Sequence, residues 1–102
     1  MRQFEVRHNI SASRLYAPFV VVMQSHLLEA MPTVLVAPML RGDGRQVYTK
    51  VSLSIAFQGN GYVLSVGELV AVDVRLVGGR VGSVVEHEDE IRRALDRLFT
   101  GF

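Results

Sequence analysis

From Val47 to Phe57 the chain alternates without a break, with Val47, Thr49, Val51, Leu53, Ile55 and Phe57 on one side and Tyr48, Lys50, Ser52, Ser54 and Ala56 on the other. A side-chain period of two over that length is the signature of a strand with one buried face. Gln58-Gly59-Asn60-Gly61 follows, and its Asn-Gly pair suits the positive φ values of a tight hairpin turn before Tyr62 to Val66 returns as the partner strand. A chain that carries this hairpin has to build an antiparallel sheet.

Leu69 to Val77 is apolar on both faces, as in a strand covered on two sides, with Gly78-Gly79-Arg80 expected to turn the chain into a short partner at Val81 to Val85. Earlier strand candidates are Phe4 to Arg7, Pro18 to Gln24 and Thr33 to Leu40, where Pro38 argues for an edge or a bulge because it cannot donate to a ladder. Only the end reads as helix. Ile91, Ala94, Leu95, Leu98 and Phe99 fall on one stripe of Asp89 to Phe99, with Glu86, Glu88, Asp89 and Glu90 at its start and Arg92, Arg93 and Arg97 later, the order that complements a helix dipole. Glu88 with Arg92 and Asp89 with Arg93 are spaced for ion pairs along the helix. The expected fold is mainly β: a small antiparallel barrel or strongly bent sheet with a C-terminal helix laid against it, in a single domain over residues 1–102.

Composition narrows the function. Eleven basic and 10 acidic residues leave a net charge of +1, too little to steer polyanions or anionic lipid, so direct nucleic-acid or membrane binding is not expected. There is no cysteine, which removes disulfides and thiolate metal sites and fits a reducing cytoplasm. The apolar run Ala17 to Met23 is too short to span a bilayer and follows a polar segment unlike a secretory leader. Hydrophobic residues make up 49% of the chain, a surplus that a homo-oligomer would hide. Arg41-Gly42-Asp43 reads as an ordinary turn.

A catalytic constellation is not found. His8, His26 and His87 lack ligand spacing, so no metal or cofactor is expected; Ser25 and His26, as strand neighbours, point to opposite faces; the glycine clusters join strands instead of opening helices; and Asp73 is the one acid in a strongly apolar run. What the residues leave is apolar surface, which makes binding the economical class of function. The ending Thr100-Gly101-Phe102 is central, since Gly101 lets the chain break from the helix and place Phe102 either on display or back in the core.

The opening Gln3-Phe4-Glu5-Val6, the segment Val21 to Leu28 (VVMQSHLL), the run Leu69 to Gly78 (LVAVDVRLVG) and the ending Asp89 to Phe102 (DEIRRALDRLFTGF) resemble, in order and end to end, the CcdB family of toxins from bacterial toxin–antitoxin modules. The resemblance implies an SH3-like β-barrel with a C-terminal helix, a two-fold homodimer, and a toxin that is not an enzyme. Such a toxin binds the A subunit of DNA gyrase, traps the enzyme with its DNA cleaved, and is neutralised by the disordered C-terminal segment of a cognate antitoxin. Carried onto this chain, the gyrase-facing residues are Leu98, Phe99, Thr100, Gly101 and Phe102, with Thr100 standing where gyrase poisons of the family carry tryptophan. The antitoxin-facing residues are Gln24, Ser25, His26, Leu27 and Leu28, with Arg92, Arg93 and Arg97 suited to an acidic segment. Two alternatives stand beside this expectation: a family member whose gyrase binding is lost or altered by Thr100, and an mRNA-cleaving toxin of the MazF type, which shares the barrel architecture.

Overall fold

The computed structural model describes residues 1–25, 30–42 and 51–101. Among these residues seven strands, β1 (Glu5–Asn9), β2 (Phe19–Val22), β3 (Thr33–Arg41), β4 (Ser52–Phe57), β5 (Asn60–Ser65), β6 (Val70–Asp73) and β7 (Val77–Ser83), precede one α-helix, α1 (Glu88–Thr100). All pairings are antiparallel, in the order β4-β5-β3-β2-β1-β7, with β6 also paired to β3. This is the expected mainly-β architecture in its bent-sheet form, since the sheet does not close into a barrel. Its two ends nevertheless approach. A Cβ at Gly82 of β7 would lie 2.9 Å from the ring of Phe57 of β4, so the bare glycine is what lets β7 pass beneath that ring.

The alternation seen in the sequence survives in β4, where Ile55 and Phe57 are buried and Ser54 and Ala56 exposed; the Val47–Lys50 part of the expected strand lies outside the described residues. The hairpin turn is displaced from expectation. Gln58 (φ 51°) and Gly59 (φ 80°) occupy its centre, and Asn60 pairs with Phe57. Two successive positive φ values are the type I′ geometry that matches strand twist. Burial decides the register over dipeptide preference: Tyr62 is set opposite Ile55 and Leu64 opposite Leu53, and the Tyr62 ring makes edge contacts with Phe19 and Phe57.

Leu69 to Val77 is not one strand. Asp73 ends β6 by accepting a hydrogen bond from the Arg75 N–H at 2.8 Å, and a 3-10 turn over Val74–Leu76 leads into β7. An acidic side chain that offers the backbone a local partner interrupts a ladder in this way. Gly78, Gly79 and Arg80, expected as a turn, lie inside β7. Gly78 is there for closeness, because a Cβ would sit 3.0 Å from the His8 Cβ and 3.1 Å from the Ile10 Cγ2.

Pro38 lies in the middle of the sheet, not on an edge. The Met23 N–H donates to the Leu35 carbonyl and the Leu35 N–H to the Gln24 side chain, so Leu35, and by alternation Ala37 and Met39, turn their polar groups towards β2. Val36 and Pro38 turn theirs the other way, to the stretch where β3 changes partner from β6, which ends opposite Val36, to β5, which begins opposite Met39. The missing proline donor faces that gap.

The main core gathers Phe4, Met39, Ile55, Leu64 and Val84 from the sheet with Ile91 and Ala94 from α1. Ile91 and Ala94 are fully buried and Leu95 packs at the core margin. Glu88 and Arg92 close one expected ion pair at 3.0 Å. The last turn departs from the expected stripe: Leu98 is 37% and Phe99 71% exposed. Among the described residues no helix is long and apolar enough to cross a membrane.

Candidate functional site

The two halves of α1 have different surroundings. Its first turns are held by Ile91 and Ala94 against the sheet, while the last turn runs beyond the core and carries its apolar side chains into solvent. Gly101 (φ 79°) ends the helix in the left-handed conformation, with its N–H donating to the Arg97 carbonyl at 2.9 Å. An αL cap of this kind stops a helix sharply and redirects the chain. The Thr100 hydroxyl donates back to the Asp96 carbonyl, so its polar atom is satisfied within the helix. Leu98, Phe99, Thr100 and Gly101 therefore form one exposed end; Phe102, whether displayed or turned inward, lies outside the described residues.

Of the expected antitoxin-facing group, Gln24 and Ser25 are half-buried, and His26, Leu27 and Leu28 lie outside the described residues. Gln24 has a structural task. Its Oε1 accepts the Leu35 N–H at 2.9 Å, continuing the β2–β3 ladder with a side chain after β2 has ended. Along α1, Arg92 and Arg93 are exposed and Arg97 is half-buried. Arg92 is already engaged, with Nε on Glu88 and its guanidinium 5.8 Å from the centre of the Phe4 ring. Arg93 and Arg97 are one helical turn apart and share a face.

Glu5 bridges Arg7 (3.0 Å) and Arg80 (3.2 Å) across β1 and β7. Burial pushes its carboxyl up, but hydrogen bonds from the Arg2 N–H and the Arg7 guanidinium, with the charge of Arg7, outweigh that and hold it below the usual carboxylate value. The Arg75 guanidinium and N–H bring Asp73 down from 3.8 to about 2. A carboxylate held ionised is a poor general base at neutral pH. Among the described residues no three metal-binding side chains converge, and the His87 Nδ1 lies 3.1 Å from Glu90.

A cleft of about 210 Å³ opens over the gap beside Pro38, floored by Val20, Val36 and Val77 and rimmed by Ser13, Tyr16 and Glu68. The Tyr16 hydroxyl donates to Glu68 at 3.3 Å across its mouth. Asn9 anchors the rim from below, donating to the Ala17 carbonyl at 2.7 Å and accepting from the Ser11 N–H at 3.0 Å.

Comparison with known proteins adds two findings. The model of a family described as CcdB protein matches residues 3–101. Among solved structures, the chain is similar to an endoribonuclease in complex with its cognate antitoxin from a mycobacterial species, with a TM-score of 0.75 at 10% identity over 96% of this chain and 93% of that one. It is similar also to the Mycobacterium tuberculosis toxin MazF-mt6, with a TM-score of 0.73 at 14% identity over 96% of each chain. No curated protein sequence matches. At such identities the likeness is one of fold alone. It still corrects one expectation: this chain was expected not to be an enzyme, yet the solved structures that share its fold include endoribonucleases, so the fold is one that carries catalysis.

Proposed function

The chain belongs to the CcdB family, matched over residues 3–101, and on that premise we propose that this toxin of a toxin–antitoxin pair docks on the A subunit of DNA gyrase through the exposed end of α1. The observation that carries the proposal is Phe99, 71% exposed on a helix whose earlier turns bury Ile91 and Ala94 completely. Leu98 adds apolar area beside it, and Gly101 stops the helix so that the end is blunt. Thr100 offers no aromatic face, so Phe99 is the anchor, and Phe102 is proposed as a second one.

A cognate antitoxin silences the toxin by laying a disordered, acidic segment along Gln24–Leu28 and over Arg92, Arg93 and Arg97. Opposite charge would speed that encounter. The toxin works as a homodimer, which presents two helix ends to a two-fold target.

The test mixes purified protein with gyrase, plasmid and ATP, then denatures and digests protein. Linear DNA is the expected product, and removal of Thr100 to Phe102 should abolish it with the fold intact. No cleavage and no gyrase binding at micromolar concentration would overturn the target. A second proposal is mRNA cleavage, supported by the fold shared with endoribonucleases; the same preparation incubated with RNA would then yield discrete fragments with no gyrase present.

A further inference from the structure

Two described residues other than glycine have positive φ, Gln58 and Phe4. The hairpin turn accounts for Gln58. Phe4, at φ 68°, precedes β1 as the third residue of a turn closed by the Glu5 N–H on the Arg2 carbonyl at 3.2 Å, a position that favours glycine, and a bulky side chain is held in the left-handed region only where its surroundings over-determine it. Those surroundings are visible. The Phe4 N–H donates to the Val22 carbonyl at 2.6 Å, its own carbonyl accepts the Val84 N–H at 2.9 Å, and the side chain of the preceding Gln3 donates to the Met23 carbonyl at 3.0 Å. The backbone of one residue thus ties the end of β2 to the segment that enters α1.

The ring carries the connection onward. It is 2% exposed and shares the core with Ile91 and Ala94. The guanidinium of Arg92 covers it at 5.8 Å and is itself held by Glu88. Arg92 therefore rests on this one side chain, within the core cluster that also holds Ile91 and Ala94, and the ring's direction is set by an unusual backbone angle. We propose that Phe4 is a positioning residue for the docking end: its left-handed conformation seats the ring beneath Arg92, in the cluster that holds Ile91 and Ala94, and so fixes the tilt at which α1 leaves the sheet. The seven residue steps from Arg92 to Phe99 make a lever of about 10 Å, so a tilt of about 10° moves the Phe99 backbone by about 2 Å. This rests on the proposed use of that end as a docking surface.

The test uses the fact that the chain contains no tryptophan. Phe99→Trp places a single reporter on the docking end. Adding Phe4→Leu should lower the reporter's anisotropy at a temperature where far-ultraviolet circular dichroism shows the protein fully folded, and should weaken binding to a gyrase A fragment by about tenfold or more, the size of one interface anchor. Should Phe4→Leu not fold, Arg92→Met, which keeps an apolar stem and removes the cation above the ring, should lower the anisotropy in the same direction. Unchanged anisotropy in a folded variant overturns the positioning role. If the Phe99→Trp parent and the wild type both fail to bind gyrase, the target proposal fails and anisotropy alone decides this one.

Discussion

Replacing Phe99 by alanine separates docking from folding. A phenylalanine side chain offers on the order of 150–250 Å² to bury, and 71% of Phe99 remains exposed in the free protein. Docking therefore has roughly 100–180 Å² of it to remove from water, about 2.5–4.5 kcal/mol at roughly 25 cal/mol per Å². The alanine retains part of that area, which leaves a loss of about 2–3 kcal/mol, or about 30- to 150-fold in Kd. The folded state loses little, because surface substitutions fall within about 0.5 kcal/mol, a Tm change of at most about 4 °C for a domain of this size. Ile91→Ala is the counterpart: Ile91 is fully buried, and its truncation should cost about 2–5 kcal/mol of stability. Biolayer interferometry against a gyrase A fragment, calorimetry, and growth arrest on induction read the three quantities. A Phe99→Ala protein that binds and arrests growth like the wild type would refute the docking role; one that unfolds would show that the ring is structural.

Gly82→Ala should destabilise the fold by about 1–3 kcal/mol in urea titration, because its Cβ would stand 2.9 Å from a Phe57 ring already pinned by Phe19 and Tyr62; no change in midpoint would mean that the two sheet ends are not in contact. Gln58→Asn should raise stability by a few tenths to about 1 kcal/mol, since asparagine adopts the left-handed conformation more readily than glutamine, and a loss would contradict the type I′ turn. Asp73, held near a pKa of about 2 against an ordinary 3.8, contributes stability that is present above about pH 4 and lost as pH falls towards 2. Asp73→Asn should therefore flatten the acid limb of a stability–pH profile over that window, and an unaltered limb would show that the pairing with Arg75 does not matter there.

The sheet and the terminal helix were legible because each has a clean apolar period, two in β4 and 3.6 from Ile91 to Leu95. What was not legible depends on partners distant in sequence. A turn over Gly78–Arg80 is reasonable until His8 and Ile10 are found so close that only glycine fits. Pro38 looks like an edge residue until β3 is seen to change neighbours beside it. Asp73 does announce a break, since an acid two residues before Arg75 in an apolar run can bond the backbone, and that signal outweighs the run. The proposed docking end comes from family resemblance, not periodicity: the helical stripe alone places Leu98 and Phe99 with Ile91, and the structure separates them because α1 outruns the sheet. The Tyr16–Glu68 cleft draws on five strands and the 3-10 turns between them and left no local mark. Nor did Gln24's role in the ladder, which a motif match reads only as surface.

Amide hydrogen exchange of the intact protein, alone and with the gyrase A subunit, measures the central claim where it is made. The account predicts that Leu98, Phe99 and Gly101, in the exposed last turn, exchange quickly in the free protein and slow on binding, with β4 and β5 unchanged. Protection confined to another face, or none at saturating gyrase, would contradict it.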